Sequence, residues 1–350
     1  MKRALAGVLL VVLLLVAGTA SYLELTERSG TAPGGTHSSS TSSSTLAATT
    51  STTDSSSTSS GAQQSPTPIK HVIVILMENE AYDQVIGSSV APFETSLAAH
   101  YASAANYFAV THPSLPNYFA LVAGSTFGIT TDCSPSQCSI SGPTIASLID
   151  ARGLSWKEYA ESMSANCSQS DGAGGQYVTK HDPFVYFSGI SGDAGSGTAS
   201  QYCDSHVVAF SQFWIDLQSS NLPAYSFITP NICDDAHSCP LSTGDAWLSS
   251  VVSRIIDSSS FASSAVFVTY DEGSGSASNT PSQVACVLVS PFARQGFASD
   301  VHYTHYSLLA TVESILGLGN LGRGDATANV MSDMFTIGLP PAASASGAGP

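Results

Sequence analysis

A chain of 350 residues with 26 acidic and only 10 basic side chains carries a formal charge of −16 at neutral pH. That balance excludes nucleic acid as a partner, because phosphate backbones are held by Lys and Arg. Charged residues make up 10% of the chain and hydrophobic residues 43%, so the surface is built on Ser, Thr and Gly and changes little in charge as carboxylates protonate, which suits an acidic exterior.

Met1-Lys2-Arg3 followed by the apolar run Ala4 to Ala20 has the form of an export signal. Residues 1–23 are therefore either a cleaved signal peptide or a retained N-terminal membrane anchor, and in both cases the remainder lies outside the cell or on the outer face of its membrane. No cysteine follows the segment, so a lipid anchor is not expected there. Residues 24–67 are mostly Ser, Thr, Gly, Ala and Pro. They have too little apolar surface to bury and read as a disordered linker open to glycosylation. A folded domain is expected over 68–337, with 338–350 as a flexible tail.

Lys70 to Met77 is a short β-branched run of the kind that forms a strand buried on both faces. A helix is expected around Phe93 to Tyr101 and a second strand near Ala104 to Phe108. Next comes Thr111-His112-Pro113-Ser114-Leu115-Pro116-Asn117-Tyr118, two helix-hostile prolines leading into an apolar run. If that run is a helix, Ser114 lies in its first turn, where unpaired N–H groups and the helix dipole favour an anion such as a phosphate. Thr144 to Ala151 reads as a helix, Leu154 to Tyr159 as a strand, and the Gly/Ser-rich Ser168 to Ser200 as an irregular excursion. His206 to Leu217 reads as a helix, Ala224 to Thr229 as a strand, and Asp245 to Ile256 as a helix capped by its own aspartate. Two more strands, Ala265 to Tyr270 and Val284 to Ser290, precede a last helix from Tyr306 to Leu316. The alternation implies an α/β fold, a mostly parallel central sheet with helices on both faces, whose site forms at the carboxyl ends of the strands.

Polar residues collect at those ends. Glu78-Asn79 closes the first strand, His112 and Ser114 follow the second, Asp234-Asp235 and His237 follow Thr229, Asp271-Glu272 follows Tyr270, and His302 and His305 come after the last strand. Of these, His302 reads as an ordinary loop residue. Carboxylate and amide oxygens are hard ligands, so Glu78, Asn79, Asp271 and Glu272 suit one divalent ion such as Mg²⁺, Ca²⁺ or Mn²⁺. A serine hydroxyl is a weak nucleophile unless activated, and a metal on its oxygen would supply the activation. Seven cysteines fit an oxidising compartment. Cys133 with Cys138 and Cys233 with Cys239 bracket short loops, Cys167 with Cys203 could close a longer one, and Cys286 lies in an apolar run as a buried free thiol. The spacing alone leaves other pairings open.

The segments KHVIVILMENEAYD, THPSLPNYFALVAGST, KHDPFVYF, PNICDDAHSCPLSTGDAWL, VTYDEG and THYSLLATVESILGL resemble, in this order, the secreted phosphoesterases that include acid phosphatases and bacterial phospholipases C, within the alkaline-phosphatase-like superfamily. The resemblance implies an alkaline-phosphatase-like fold, Ser114 as a phosphorylated nucleophile, metal ligation by Glu78, Asn79, Ser114, Asp271 and Glu272, and His237 and His305 at the phosphate. His112 and Lys180-His181 fall in matching segments. The short Gly/Ser stretch Gly273 to Asn279 and the chain's end soon after Phe335 resemble the compact acid-phosphatase branch, whose substrates are small phosphomonoesters. The alternatives are a phosphodiesterase or phospholipase C acting on phospholipid or phosphoinositide headgroups, and a non-catalytic surface protein.

Overall fold

Residues 67–192, 199–274 and 282–341 are described by the computed structural model. The expected export segment, the linker up to residue 66 and the end of the tail lie outside them. Among the described residues no helix is long and apolar enough to cross a membrane.

Among the described residues ten strands appear in chain order: β1 (His71–Met77), β2 (Ala102–Ala104), β3 (Tyr107–Phe108), β4 (Trp156–Ala160), β5 (Val207–Ala209), β6 (Tyr225–Thr229), β7 (Ser264–Tyr270), β8 (Cys286–Val289), β9 (Phe297–Ser299) and β10 (Tyr303–Thr304). Eight of them form one sheet in the order β5-β4-β6-β1-β7-β8-β2-β9, while β3 and β10 pair separately. The helices are α1 (Tyr82–Val85), α2 (Pro92–His100), α3 (Ser114–Ala123), α4 (Ile145–Ala151), α5 (Ser188–Ser191), α6 (Gln201–His206), α7 (Ser211–Gln218), α8 (Leu241–Ile256) and α9 (His305–Leu316). Strand β1 is central because its β-branched run is buried along both faces. It pairs in parallel with β6 and β7, and the register sets Met77 beside Tyr270. The residues that follow these two, Glu78 and Asp271, are therefore neighbours by construction. Strand β8 runs antiparallel to both β7 and β2.

Helix α3 is buried on every side, from Ser114 to Ala123, as expected of a helix that is apolar all round. It stops at Gly124, whose φ of 68° is left-handed and whose missing Cβ makes room for Asp325: a Cβ there would lie 2.4 Å from Asp325 Oδ1.

Four elements differ from the sequence expectation, the first being the strand expected near Ala104 to Phe108, which is split into β2 in the main sheet and β3 in the small one. The helix expected over His206 to Leu217 is divided by β5, because the β-branched Val207-Val208 pair extends the sheet edge beside Glu158 and Tyr159 of β4. The helix expected to start at its own cap, Asp245, begins a turn earlier at Leu241 behind Pro240. The Asp245 carboxylate instead accepts the Phe93 and Glu94 N–H groups at 3.1 and 2.9 Å, capping α2. The excursion from Ser168 to Ser200, apart from residues 193–198, which are not described, holds short helical turns including Thr179–His181. Disulfides join Cys133 to Cys138, Cys167 to Cys203 and Cys233 to Cys239, and Cys286 is free and buried.

Candidate active site

The carboxylate of Glu78, just past β1, is gripped by α3. Ser114, the first residue of that helix, donates its hydroxyl to Glu78 Oε2 at 3.0 Å. Tyr118, four residues on and so on the same helix face, donates to Glu78 Oε1 at 2.5 Å. His181 sits against both: Nε2 is 3.2 Å from Glu78 Oε1, Nδ1 is 3.0 Å from Asp235 Oδ2, and its ring stacks on Tyr118 at 5.4 Å with a 2° interplanar angle.

Electrostatics follow from that contact. Burial works against charge on Glu78, but the His181 cation and the Tyr118 hydroxyl outweigh it and hold the carboxyl down at about 2. His181, equally buried, is raised to about 9 by Glu78 and Asp235. Asp271 has no such partner. Burial and the charges of Glu78 and Glu272 push it well above the carboxylate range, with the Asn79 N–H and Ser114 hydroxyl as partial relief. Its Oδ1 accepts the Asn79 N–H at 3.0 Å, while its Oδ2 is buried with no hydrogen-bond partner among the described residues. Glu272, raised to about 8 by burial and by Glu78 and Asp132, is bonded to His112 Nδ1 at 2.8 Å.

Three crowded carboxyls, one with an orphaned buried oxygen, fit a cation. The oxygen set of Glu78, Asp271, Glu272 and Ser114, with Asn79 at its edge, suits a hard divalent ion. The set of His and carboxylate ligand atoms that lie within 4.8 Å of one another among the described residues is a mixed one, Glu78, His181 and His237. There, however, both His181 nitrogens already face carboxylates, and the imidazole that keeps Glu78 ionised would have to give up its proton to bind a metal.

His305 does not reach this cluster's open side. Its Nε2 donates to the Asp271 carbonyl at 2.6 Å and its Nδ1 accepts from Tyr107 Oη at 2.9 Å, so both nitrogens are occupied. Burial lowers it to about 4. In this arrangement His305 braces the backbone of Asp271 and the hydroxyl of Tyr107. His237 does lie at the site, its Nε2 3.0 Å from Lys180 Nζ, and burial together with that ammonium lowers its pKa. His302 is exposed and packs on Phe108.

The N-terminus of α3, expected to receive a phosphate, already holds an anion. The Leu115 N–H donates to Asp132 Oδ1 at 3.0 Å, and Lys180 Nζ lies 3.4 Å from Asp132 Oδ2. Asn117 ties the preceding loop, accepting the Val110 and Thr111 N–H groups at 2.9 and 3.1 Å and donating to the Thr111 carbonyl at 2.9 Å. Sequence reasoning assigned no role to Tyr118, Asn117, Asp132 or Asp235 and left Lys180 and His181 without a definite one. The i+4 spacing from Ser114 could have found Tyr118. Asp132, just before the Cys133–Cys138 disulfide loop, and His181 arrive from irregular segments that carry no periodic signal.

A model of the phosphoesterase family matches residues 88–319. The chain is 36% identical over 237 residues to a phosphate-repressible acid phosphatase of Penicillium chrysogenum, covering 65% of this chain and 54% of that protein. It is 35% identical over 255 residues to a phosphatidylinositol-3-phosphatase of Mycobacterium tuberculosis, covering 72% and 78%. An acid phosphatase of Aspergillus fumigatus is 34% identical over 234 residues, 65% of this chain and 51% of its own. The chain thus spans about half the length of these fungal relatives. A solved structure from Vibrio parahaemolyticus, described as a protein of the alkaline phosphatase superfamily, superposes with a TM-score of 0.51 at 14% identity, covering 76% of this chain and 72% of that one. This is a likeness of fold.

Proposed function

Since the chain belongs to the phosphoesterase family, we propose that it is a metal-dependent acid phosphatase that hydrolyses phosphomonoesters through a phosphoserine on Ser114. The observation that carries the reading is the Ser114 hydroxyl held 3.0 Å from a carboxylate that stays ionised, at the mouth of a carboxyl cluster with an unpartnered buried oxygen. The relatives named acid phosphatase support the choice of reaction.

Glu78 orients the hydroxyl toward the phosphorus, and Tyr118 and His181 hold Glu78 in place. Glu78, Asn79, Asp271, Glu272 and Ser114 would hold one hard divalent ion, with His112 and Asn117 fixing Glu272 and His305 fixing Asp271. Bound there, such an ion would lower the serine pKa and offset charge on the phosphoryl oxygens. Lys180 presents N–H donors and positive charge to those oxygens, and His237, whose Nε2 accepts from Lys180 and whose Nδ1 faces Ser238 Oγ, must exchange the lysine for the departing alcohol to protonate it. Ser114 Oγ gives up its proton to solvent and forms the bond to phosphorus as the bond from phosphorus to the ester oxygen breaks, the departing alkoxide taking the proton that His237 carries. Water then cleaves the phosphoserine, releasing phosphate. Because the pKa of His237 is lowered, the donor form prevails only in an acidic medium, consistent with an extracytoplasmic enzyme stapled by three disulfides.

A phosphoinositide headgroup monoester is the substrate class to test beside small monoesters, given the name of the mycobacterial relative. Protein quenched in acid during turnover of a ³²P-labelled monoester should carry label on the peptide containing Ser114. Label on another residue, or preferred turnover of a diester, rejects the reading.

A further inference from the structure

Most helices that bind a carboxylate at their N-terminus take it from the capping residue itself. Helix α3 cannot, because its N-cap is Pro113, and its third residue, Pro116, has no N–H. The carboxylate comes from Asp132, on the segment between α3 and α4. Its two oxygens face the Leu115 N–H at 3.0 Å and the Lys180 ammonium at 3.4 Å. Leu115 adjoins the nucleophile, and Lys180 contacts His237. The Asp132 charge also reaches Glu272 and His237. An acidic side chain thus stands among the donors of a site that already holds three carboxyls.

We propose that Asp132 is a resident competitor for the substrate's phosphoryl group: its carboxylate fills the anion position between the Leu115 N–H and Lys180, and a phosphate must displace it to bind. The inference rests on the phosphatase reading and adds to it a residue that sets affinity for dianions. The displacement is local. Cys133 next door is fixed by its disulfide to Cys138 and by the Tyr186 hydroxyl on its carbonyl at 2.7 Å, so the backbone stays while the side chain rotates. The Asp132 and Lys180 side chains are 28% and 21% exposed, which leaves the carboxylate a path into water. Without substrate the aspartate satisfies the helix end and the lysine. With product bound it competes for the same donors and speeds release of phosphate.

The test is titration calorimetry with inorganic phosphate on wild type, Asp132→Asn and Asp132→Ala at equal metal content, together with KM and kcat on a monoester. Asparagine keeps an oxygen for Leu115 and removes the charge. Phosphate should bind Asp132→Asn about tenfold more tightly than wild type, since like charges juxtaposed in a site are strongly unfavourable. KM should fall by more than kcat changes, and the gain should vanish in a Lys180→Met background. Unchanged or weaker phosphate binding by the folded Asp132→Asn protein overturns the inference and leaves Asp132 a structural cap. Binding to none of the proteins, wild type included, overturns the phosphatase reading itself.

Discussion

Buried carboxyls at two places in this fold have opposite fates: Glu78 at the rim keeps its charge, whereas Glu94 and Glu313 at the back hold a proton more tightly. At the strand ends Glu78 is fully buried yet held at about 2, because the His181 cation and the Tyr118 hydroxyl both meet its Oε1 and outweigh burial, while the Ser114 hydroxyl meets Oε2. Away from the site, Glu94 and Glu313 are also buried, but no cation meets them. Glu94 faces the Tyr270 hydroxyl at 2.7 Å together with Asp245 and Glu80, and burial with those charges raises it to about 8. Glu313 of α9 faces Asp325, and burial with that neighbour raises it to about 9. The nearby Arg323 is turned to the Ala123 and Pro143 carbonyls. The same residue type at the same depth is thus an anion where a cation is supplied and an acid where none is. Charge at the rim serves chemistry, whereas a proton at the back lets the core close.

Asp271 is the sharpest way to break that division, since it is a rim carboxyl with the crowding of the back group and no cation of its own. Asp271→Asn should lose bound divalent ion and lower kcat/KM by roughly a hundredfold or more, as for other losses of preorganised electrostatics. The same change should leave the metal-stripped fold as stable as wild type or more so, because it removes a repelled charge. A metal-free Asp271→Asn protein with a markedly lower melting temperature would show that the carboxylate is structural.

Tyr118→Phe removes one hydrogen bond to a charged group and almost no volume. It should lower kcat/KM roughly tenfold, in line with the ~1.5–3 kcal/mol of such bonds, and raise the Glu78 pKa while the protein remains folded. A pH–rate profile unchanged on its acid side argues against the grip.

His305→Gln and His237→Asn separate the two imidazoles. With both nitrogens of His305 used internally, His305→Gln should cost stability of ~1–3 kcal/mol and leave the basic limb of the pH–rate profile in place. That limb should disappear in His237→Asn. The reverse pattern would return His305 to the phosphate.

The smallest effect concerns the back group. Glu94 and Glu313 bind protons more tightly folded than unfolded, so their stabilising contribution is full below about 4.5 and is lost as pH rises toward about 8 and about 9. The slope is at most ~1.4 kcal/mol per pH unit for each group. Melting temperatures should therefore fall from pH 5 to pH 8, and Glu94→Gln or Glu313→Gln should flatten the decline. A flat wild-type curve means these carboxyls are not protonated in the fold.

The β-branched run of β1 and the strands ending at Thr229 and Tyr270 were legible because burial on both faces leaves a continuous apolar pattern, and the turn from strand to polar residue located Glu78, Asn79, Asp271 and Glu272 at one edge. Ser114 was legible from its place between two prolines before an apolar helix. What those residues touch was not. The edge strand Val207–Ala209 is too short to announce itself against the helices around it, and Asp245 looks like its own helix's cap until α2 is seen to end against it.

The site's charge lay further still from the sequence. His305 reads as an active-site histidine in its motif, and only the fold places Tyr107 and the Asp271 carbonyl against its two nitrogens. His181 and Asp132 come from segments without periodicity, brought to α3 by the path of the chain between strands. Sequence determined which oxygens line the rim, because strand ends are set by local pattern. Tertiary structure decided which of them keep a charge, because pKa depends on the few ångströms of neighbouring charge and solvent that only the folded chain supplies.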